Sequence, residues 1–510
     1  MHHTVHEDRA ETTARHCCAA MLVAESKVRL PLVLGLTLLA VLAMWSARAA
    51  RSAVQIGQDE HYEVVKAQLW AQGYSLYDRV WDDQPPLYTA LLGVCFRCLG
   101  TSIVVARAVA AAFGLLLLTG CWALVGRRFC PLAAFLATVC LVVAPQVFEL
   151  SVSAMLEVPA FAVALWSLWP IHAWQEKQQW RWLVLSGFLL AAALQIKLTA
   201  AVVTPALASE VLMTCHGKIW VDRSKESLRC LGVWSGSVAG AYLGLAALLG
   251  HAPLHVLWAS HFSAETLARS NSLAFSPGLI SENPDAAWAA AAGLLVAVWR
   301  REWRRMSFPL VWLFTVILVH MEHRPWWPYY YLHFAIPLAL LAGPGITEIL
   351  LFGWVRTADG LLRPPFVGLA ALAVASLHLS LLVAYGGQRL VSDVERIRSL
   401  PMVEENALIA MMRKYASATR WVYTRETIYP FHARLLVIPE LAMLPTKRFW
   451  SGQITEKQIW SLVKEYRPEQ VLLADWQVDT GYWQSAQSGY RLVYHDQDQR
   501  LYVSRALKGQ

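Results

Sequence analysis

Residues 57–93 read GQDEHYEVVKAQLWAQGYSLYDRVWDDQPPLYTALLG. Two acidic pairs, Asp59-Glu60 and Asp82-Asp83, bracket a helix-forming run, and Pro85-Pro86 then fixes an extended turn. The next segment, LYTALLGVCFRCLG at 87–100, is apolar but shorter than the about 20 residues that a bilayer crossing needs. How it is read decides the topology. Counted as a span, it puts Arg127 and Arg128 outside the membrane; laid on the membrane surface, it puts them inside.

The surface reading brings the whole basic pattern into agreement. Spans are expected at about 30–48, 102–126, 131–149, 157–174, 182–197, 198–214, 230–250, 286–299, 308–321, 329–348 and 366–386. The inner turns then hold Lys27/Arg29, Arg127/Arg128, Lys177/Arg181, Lys218/Arg223/Lys225/Arg229, Arg300/Arg301/Arg304/Arg305 and Arg356/Arg363, as the positive-inside rule requires. About eleven spans from an inside N-terminus leave the C-terminal part outside. The expected organisation is a disordered cytoplasmic leader at 1–28, a multi-spanning domain at 29–387 and an extracytoplasmic α/β domain at 388–510. Two outer loops are long, 49–101 and 251–285.

Composition supports this. The chain has 510 residues, 56% apolar and 16% charged, where a soluble domain carries about a quarter charged. That excludes a disordered protein and argues against a single soluble globule. The net charge of +8 fits basic inner loops, and no basic face on a soluble domain suggests nucleic-acid binding. Cys95 and Cys98 form a CxxC without a second pair, so the nine cysteines read as inert thiols rather than a zinc set. Beyond 388, charge rises and short β-type runs appear at Trp421–Tyr423, Leu435–Ile438, Gln470–Leu473 and Leu501–Val503, with helical patterns at 404–414 and 455–466.

A carboxylate at the membrane surface can serve as general base for a hydroxyl nucleophile, and Asp59 stands where one would be needed. Equally, Asp59 can cap a helix over 60–71, with Glu60 favoured by its positive end. Asp82 and Asp83 read as solvated turn residues or as holders of a metal. Lys197 interrupts an apolar stretch, where an ionisable residue is costly and usually functional, unless it snorkels to the headgroups. HMEHRPWWPYYYLHF, residues 320–334, is either an interfacial aromatic belt or a substrate lining. Trp70 and Trp81 can stack on a sugar or isoprenoid, or simply anchor the first loop.

Asp-Glu after the first span, then a gap, then Asp-Gln-Pro-Pro-Leu, resembles the GT-C membrane glycosyltransferases of the family 39/83 group. These include protein O-mannosyltransferases and the bacterial transferase that puts aminoarabinose on lipid A. The likeness continues in order through Leu99-Gly100, Arg107, Arg127-Arg128, Met155-Leu156-Glu157, Gln195-Ile196-Lys197, Ser260-His261-Phe262 and His323-Arg324 with Tyr329-Tyr330-Tyr331 and Pro337. It covers about residues 30–386.

The resemblance implies an α-helical polytopic protein that moves a sugar from a polyprenyl-phosphate donor, with inversion, outside the cytoplasmic membrane of a bacterium. It implies Asp59, with Glu60 beside it, as the catalytic carboxylates. Lys197, Arg107, His323, Arg324, Glu157 and Tyr330 are implied at the donor and its phosphate. Asp83 and His261 are implied as ligands of a divalent metal, zinc or else magnesium or manganese, which two protein ligands alone would hold weakly. One departure matters: the relative has a Lys after its loop carboxylate, and this chain has Gln84. One phosphate-neutralising charge is therefore missing, and either Lys197, His323 or Arg324 must do more or the donor differs.

The acceptor stays open among lipid, glycan and protein. Rival readings are a lipid-linked sugar transporter or flippase, an O-antigen ligase or polymerase, and a non-catalytic envelope protein whose tail binds glycans. Transporters tend to show related halves around a midplane site, and no half-to-half similarity is seen here.

Overall fold

The structure, a computed structural model, describes residues 49–213, 220–270, 275, 284–299, 301, 303–358 and 365–507. The leader, the expected span 30–48, Lys27, Arg29, Lys218, Arg300, Arg363 and part of the second long loop lie outside the described residues.

The chain is an α-helical polytopic membrane protein with a small α/β domain at its C-terminus. Among the described residues, five helical stretches are long and apolar enough to cross a membrane: Ile103–Arg128, Ser224–Leu249, Arg304–Glu322, Pro328–Leu350 and Leu369–Ser399. Their outward faces carry large apolar side chains such as Leu243, Leu248, Phe314 and Leu369, a surface suited to lipid. The Pro328–Leu350 stretch is buried at the centre. Its Gly345 faces Gly293 so closely that a Cβ would lie 2.5 Å from the Gly293 Cα. Small residues let two helix backbones approach this far where no hydrophobic driving force brings them together.

Several expected spans are interrupted. The 131–149 run forms a helix only over Pro131–Val142; Pro145 and a left-handed Gln146 (φ 61°) precede a short helix, Val147–Val152. Pro lacks the amide and restricts the residue before it, so the ladder cannot continue there. The 157–174 run divides at Ser167 into Glu157–Trp166 and Leu168–Lys177. The Trp180–Ile196 helix ends at Lys197, which is extended (φ −152°, ψ 128°) before a 3₁₀ turn, Leu198–Val203, and the Thr204–Met213 helix.

The segment at 87–100 forms a 13-residue helix, Leu87–Leu99, too short to cross. It packs on the Glu60–Ala71 helix, where Gly93 leaves room for the Trp70 ring. Arg127, Arg128, Glu176, Glu210 and Arg304 meet at the opposite end of the bundle, tied by Arg127–Glu176 and Arg128–Glu210 ion pairs. The acidic first loop and the basic turns thus sit at opposite ends.

The last helical stretch runs past the expected boundary at 388 as far as Ser399. Its polar final part still buries Val394 and Ile397. The rise in charge marks where the helix leaves apolar surroundings, not where it stops. The terminal domain then holds a four-stranded sheet ordered β1-β2-β4-β3, with β1 Val422–Tyr423, β2 Gln470–Ala474, β3 Tyr490–His495 and β4 Gln499–Ser504. β1 and β2 are parallel, and β4 is antiparallel to both its neighbours. The expected strand at Leu435–Ile438 makes only a bridge from Val437 to Val422, because Pro439 follows and starts a 3₁₀ turn. The helices Ala407–Lys414 and Glu456–Tyr466 cover the sheet.

Candidate functional site

The Glu60–Ala71 helix is buried on nearly every side, so its polar residues need partners inside the protein. Arg107 supplies one. Its Nε and Nη2 donate to the two Glu60 carboxylate oxygens at 2.9 and 2.7 Å. Its remaining hydrogens go to the carbonyls of Ala49, Ser52 and Val54 at 2.7 to 3.1 Å. Glu60 also accepts from the Ile56 and Ala154 amides at 2.8 and 2.9 Å. This network has no spare valence, and it fixes the chain on either side of Asp59.

The neighbouring Asp59 does something different. It stands at the helix start, but its side chain makes no capping hydrogen bond. Its carboxylate accepts from the Tyr329 hydroxyl, and its amide donates to the Met155 sulfur at 3.3 Å. Gly57 permits this approach, since a Cβ there would lie 2.7 Å from Met155 Cγ. Asp59 lines a cavity of about 380 Å³, within the usual size for a small-molecule site.

Besides Asp83 and Gln84 of the same loop, five other segments close that cavity. Glu157 begins its helix there, and Lys197 points in from the helix break. The two form a buried ion pair. The Lys197 ammonium also lies 4.9 Å from the Tyr329 ring centre and 5.7 Å from that of Tyr330. His323, Trp327, Tyr329 and Tyr330 make a third wall, and His261 with Ser260 a fourth. The fifth comes from the C-terminal domain: Met443, Pro445, Thr446 and Lys447.

The structure brings Asp59, Asp83, Glu157, Lys197, His261, His323 and Tyr330 to one cavity. Glu60, Arg107 and Arg324 are not among its lining side chains. Arg107 borders a separate apolar cavity of about 360 Å³ but is wholly engaged with Glu60 and backbone. Residues missed from the sequence include His61, Tyr62, Glu63 and Lys447. The first three follow directly from the helix that Asp59 begins; nothing local marks Lys447. Trp70 and Trp81 prove to be anchors. Arg97 covers the Trp70 ring, and the Trp81 indole donates to Gln453 at 2.7 Å.

Electrostatics divide the loop's carboxylates. Asp82 accepts from Lys66 at 2.9 Å, and Lys66 also pairs with Glu63 at 3.0 Å. Burial raises both acids: Asp82 rises from its ordinary value, and Glu63 reaches about 7 despite the opposing Lys66 charge. Asp83 goes the other way. Burial pushes it up, but Lys447 and then His261 outweigh that and hold it well below the usual carboxylate range. His323 falls to about 4, first through burial and then through the charges of His261, Lys197 and Lys447. Burial thus favours its neutral form near pH 7.

The expected metal pair does not fit a divalent ion as arranged. The would-be ligand atoms face each other, with His261 Nε2 3.2 Å from Asp83 Oδ2, and the Lys447 ammonium shares that same oxygen. Zinc binds through several converging donors, and an ammonium among them would repel it. Among the described residues no group of three or more His, Cys, Asp or Glu is placed to hold a metal.

Residues 83–234 match the family model described as dolichyl-phosphate-mannose-protein mannosyltransferase. The structure is similar to that of ArnT from Cupriavidus metallidurans bound to undecaprenyl phosphate, with a TM-score of 0.62 at 15% identity over 93% of this chain and 98% of that one. The fold is GT-C. A second similar structure is the apo oligosaccharyltransferase of Archaeoglobus fulgidus, with a TM-score of 0.50 at 12% identity over 93% of this chain and 74% of that one. Among curated proteins, none matches by sequence. The GT-C likeness to ArnT runs almost the full length of both chains. The family model spans Asp83, Glu157 and Lys197, but neither Asp59 nor the C-terminal domain.

Proposed function

We propose that the protein is a membrane glycosyltransferase that moves a sugar from a polyprenyl-phosphate donor to an acceptor hydroxyl or phosphate, with inversion. One observation carries this reading: Asp59 and Lys197, a carboxylate and a cation, line the same cavity of a GT-C fold. In this mechanism Asp59 takes the proton of the acceptor hydroxyl as that oxygen attacks the anomeric carbon. The bond from that carbon to the phosphate oxygen breaks, and polyprenyl phosphate leaves with the electron pair. Lys197 neutralises the departing charge. Tyr329 orients Asp59 through its hydroxyl. The undecaprenyl phosphate bound to ArnT supports a lipid phosphate as the carrier. The basic end of the bundle supports a cytoplasmic side, with the cavity and C-terminal domain on the outer face of a bacterial cytoplasmic membrane.

The test is mass spectrometry of envelope lipids, glycans and proteins from cells making the chain or its Asp59→Asn variant. A sugar-sized increment present with the first and absent with the second, at equal protein level, is the expected result. Identical profiles would remove Asp59 as the base.

A further inference from the structure

The structure assigns the missing phosphate-binding cation to the C-terminal domain: we propose that Lys447 binds the donor phosphate. This rests on the lipid-phosphate reading above. Gln84 and Lys447, far apart in sequence and in different domains, converge on one carboxylate. The Gln84 amide donates to Asp83 Oδ1 at 3.2 Å, while Lys447 holds Oδ2. Both side chains thus end on the two oxygens of the same carboxylate. Here position 84 is neutral and position 447 carries the charge.

The position of Lys447 is built rather than incidental. Its neighbour Arg448 faces away and is fixed, donating to the Glu440 and Met443 carbonyls at 3.0 and 2.6 Å and covering the Trp81 ring at 5.1 Å. Gln453 bridges the two long loops, accepting from Trp81 and donating to Ser260 Oγ at 2.9 Å. The domain is thereby clamped where, among its described residues that line the cavity, Lys447 is the cation. Asp83 is almost fully buried, whereas the Lys447 side chain keeps 22% exposure. An ammonium has three donors, so one can stay on Asp83 while two reach phosphate oxygens. Lys197 lies on another wall, and the charges of both lysines act on His323. A phosphate between them would be held from two domains at once. Lysine suits such a role as a compact point charge. A fixed ammonium beside Asp83 and His261 also gives the site the positive charge that a metal would otherwise bring.

The experiment uses the purified full chain in detergent. Polyprenyl-phosphate affinity, donor KM and kcat, and melting temperature are measured for wild type, Lys447→Gln, Lys447→Arg and Q84K/K447Q. Loss of one charged phosphate contact weakens Kd and KM on the order of ten- to a hundredfold in Lys447→Gln. The smaller change is expected in kcat. Lys447→Arg retains most of the affinity, and Q84K/K447Q recovers it. Wild-type transfer is expected to withstand a chelator. Unchanged affinity in Lys447→Gln, with wild type binding normally, overturns the Lys447 assignment alone. So does a fall in melting temperature that Q84K restores without restoring affinity. Activity lost to chelator and regained with zinc would put a metal in this place instead of Lys447. Wild type that does not bind polyprenyl phosphate would overturn the function reading itself, and this assignment with it.

Discussion

The two acidic pairs of the first loop divide in the same way. Glu60 and Asp82 turn into the protein, where Arg107 and Lys66 hold them. Asp59 and Asp83 turn into the cavity, where Tyr329 meets one and Lys447 with His261 the other. Adjacent residues of nearly identical chemistry thus serve scaffold and site. The cause is geometric. Asp59 precedes a helix that carries Glu60 round to the bundle. Asp82 and Asp83 lie in a loop that bends at Asp83, and their side chains part to Lys66 on one side and to Lys447 and His261 on the other. Each scaffold carboxylate fixes the backbone that aims its neighbour.

The largest expected effects break the first pair in opposite senses. Asp59→Asn should lower transfer by about 10²- to 10⁴-fold, the usual contribution of a general base, without changing melting temperature. Glu60→Gln should leave Arg107 buried without its counter-charge, at a cost of about 3–5 kcal/mol of stability. It would be read as low yield or early unfolding. A stable, inactive Glu60→Gln protein would instead mean that Glu60 acts on substrate, and the division between the two residues would fail. The second pair is tested by the Lys447 series, with its smaller effect on donor affinity.

Much of this was legible in the sequence, and the limits have physical reasons. The helix break at Lys197 follows from a residue type that is costly in an apolar stretch, so it stands out, whereas the convergence of Asp59, Glu157 and His323 was implied by the family resemblance alone. Glu60 and Arg107 carry the same signal, a charge at a membrane edge, yet they neutralise each other. Sequence marks that a charge needs a partner but not which partner it finds. Lys447 is the converse. In PTKRFW it looks like any surface lysine beside Arg448, and its role comes from a tertiary contact between domains. The Val147–Val152 break hid for a different reason: apolar composition continues across Pro145 while the backbone cannot.

The finest test of the division concerns Glu63, which touches both sides: it lines the cavity and pairs with Lys66. Burial first, and then Asp82, raise its carboxyl from 4.5 to about 7 against the pull of Lys66. Between those values the folded protein keeps a proton that the unfolded chain has released. The folded state therefore binds more protons, and stability falls as pH rises from 4.5 to about 7, then levels off. Asp82, also raised, contributes with the same sign. Glu63→Gln removes the Glu63 part of this slope. Melting temperature in detergent, followed from pH 5 to 8, should decline for wild type and stay flatter for the variant. Equal slopes would mean that Glu63 is ionised in the folded protein throughout. Lys66 would then stabilise it as fully as Arg107 does Glu60, and Glu63 would belong wholly to the scaffold.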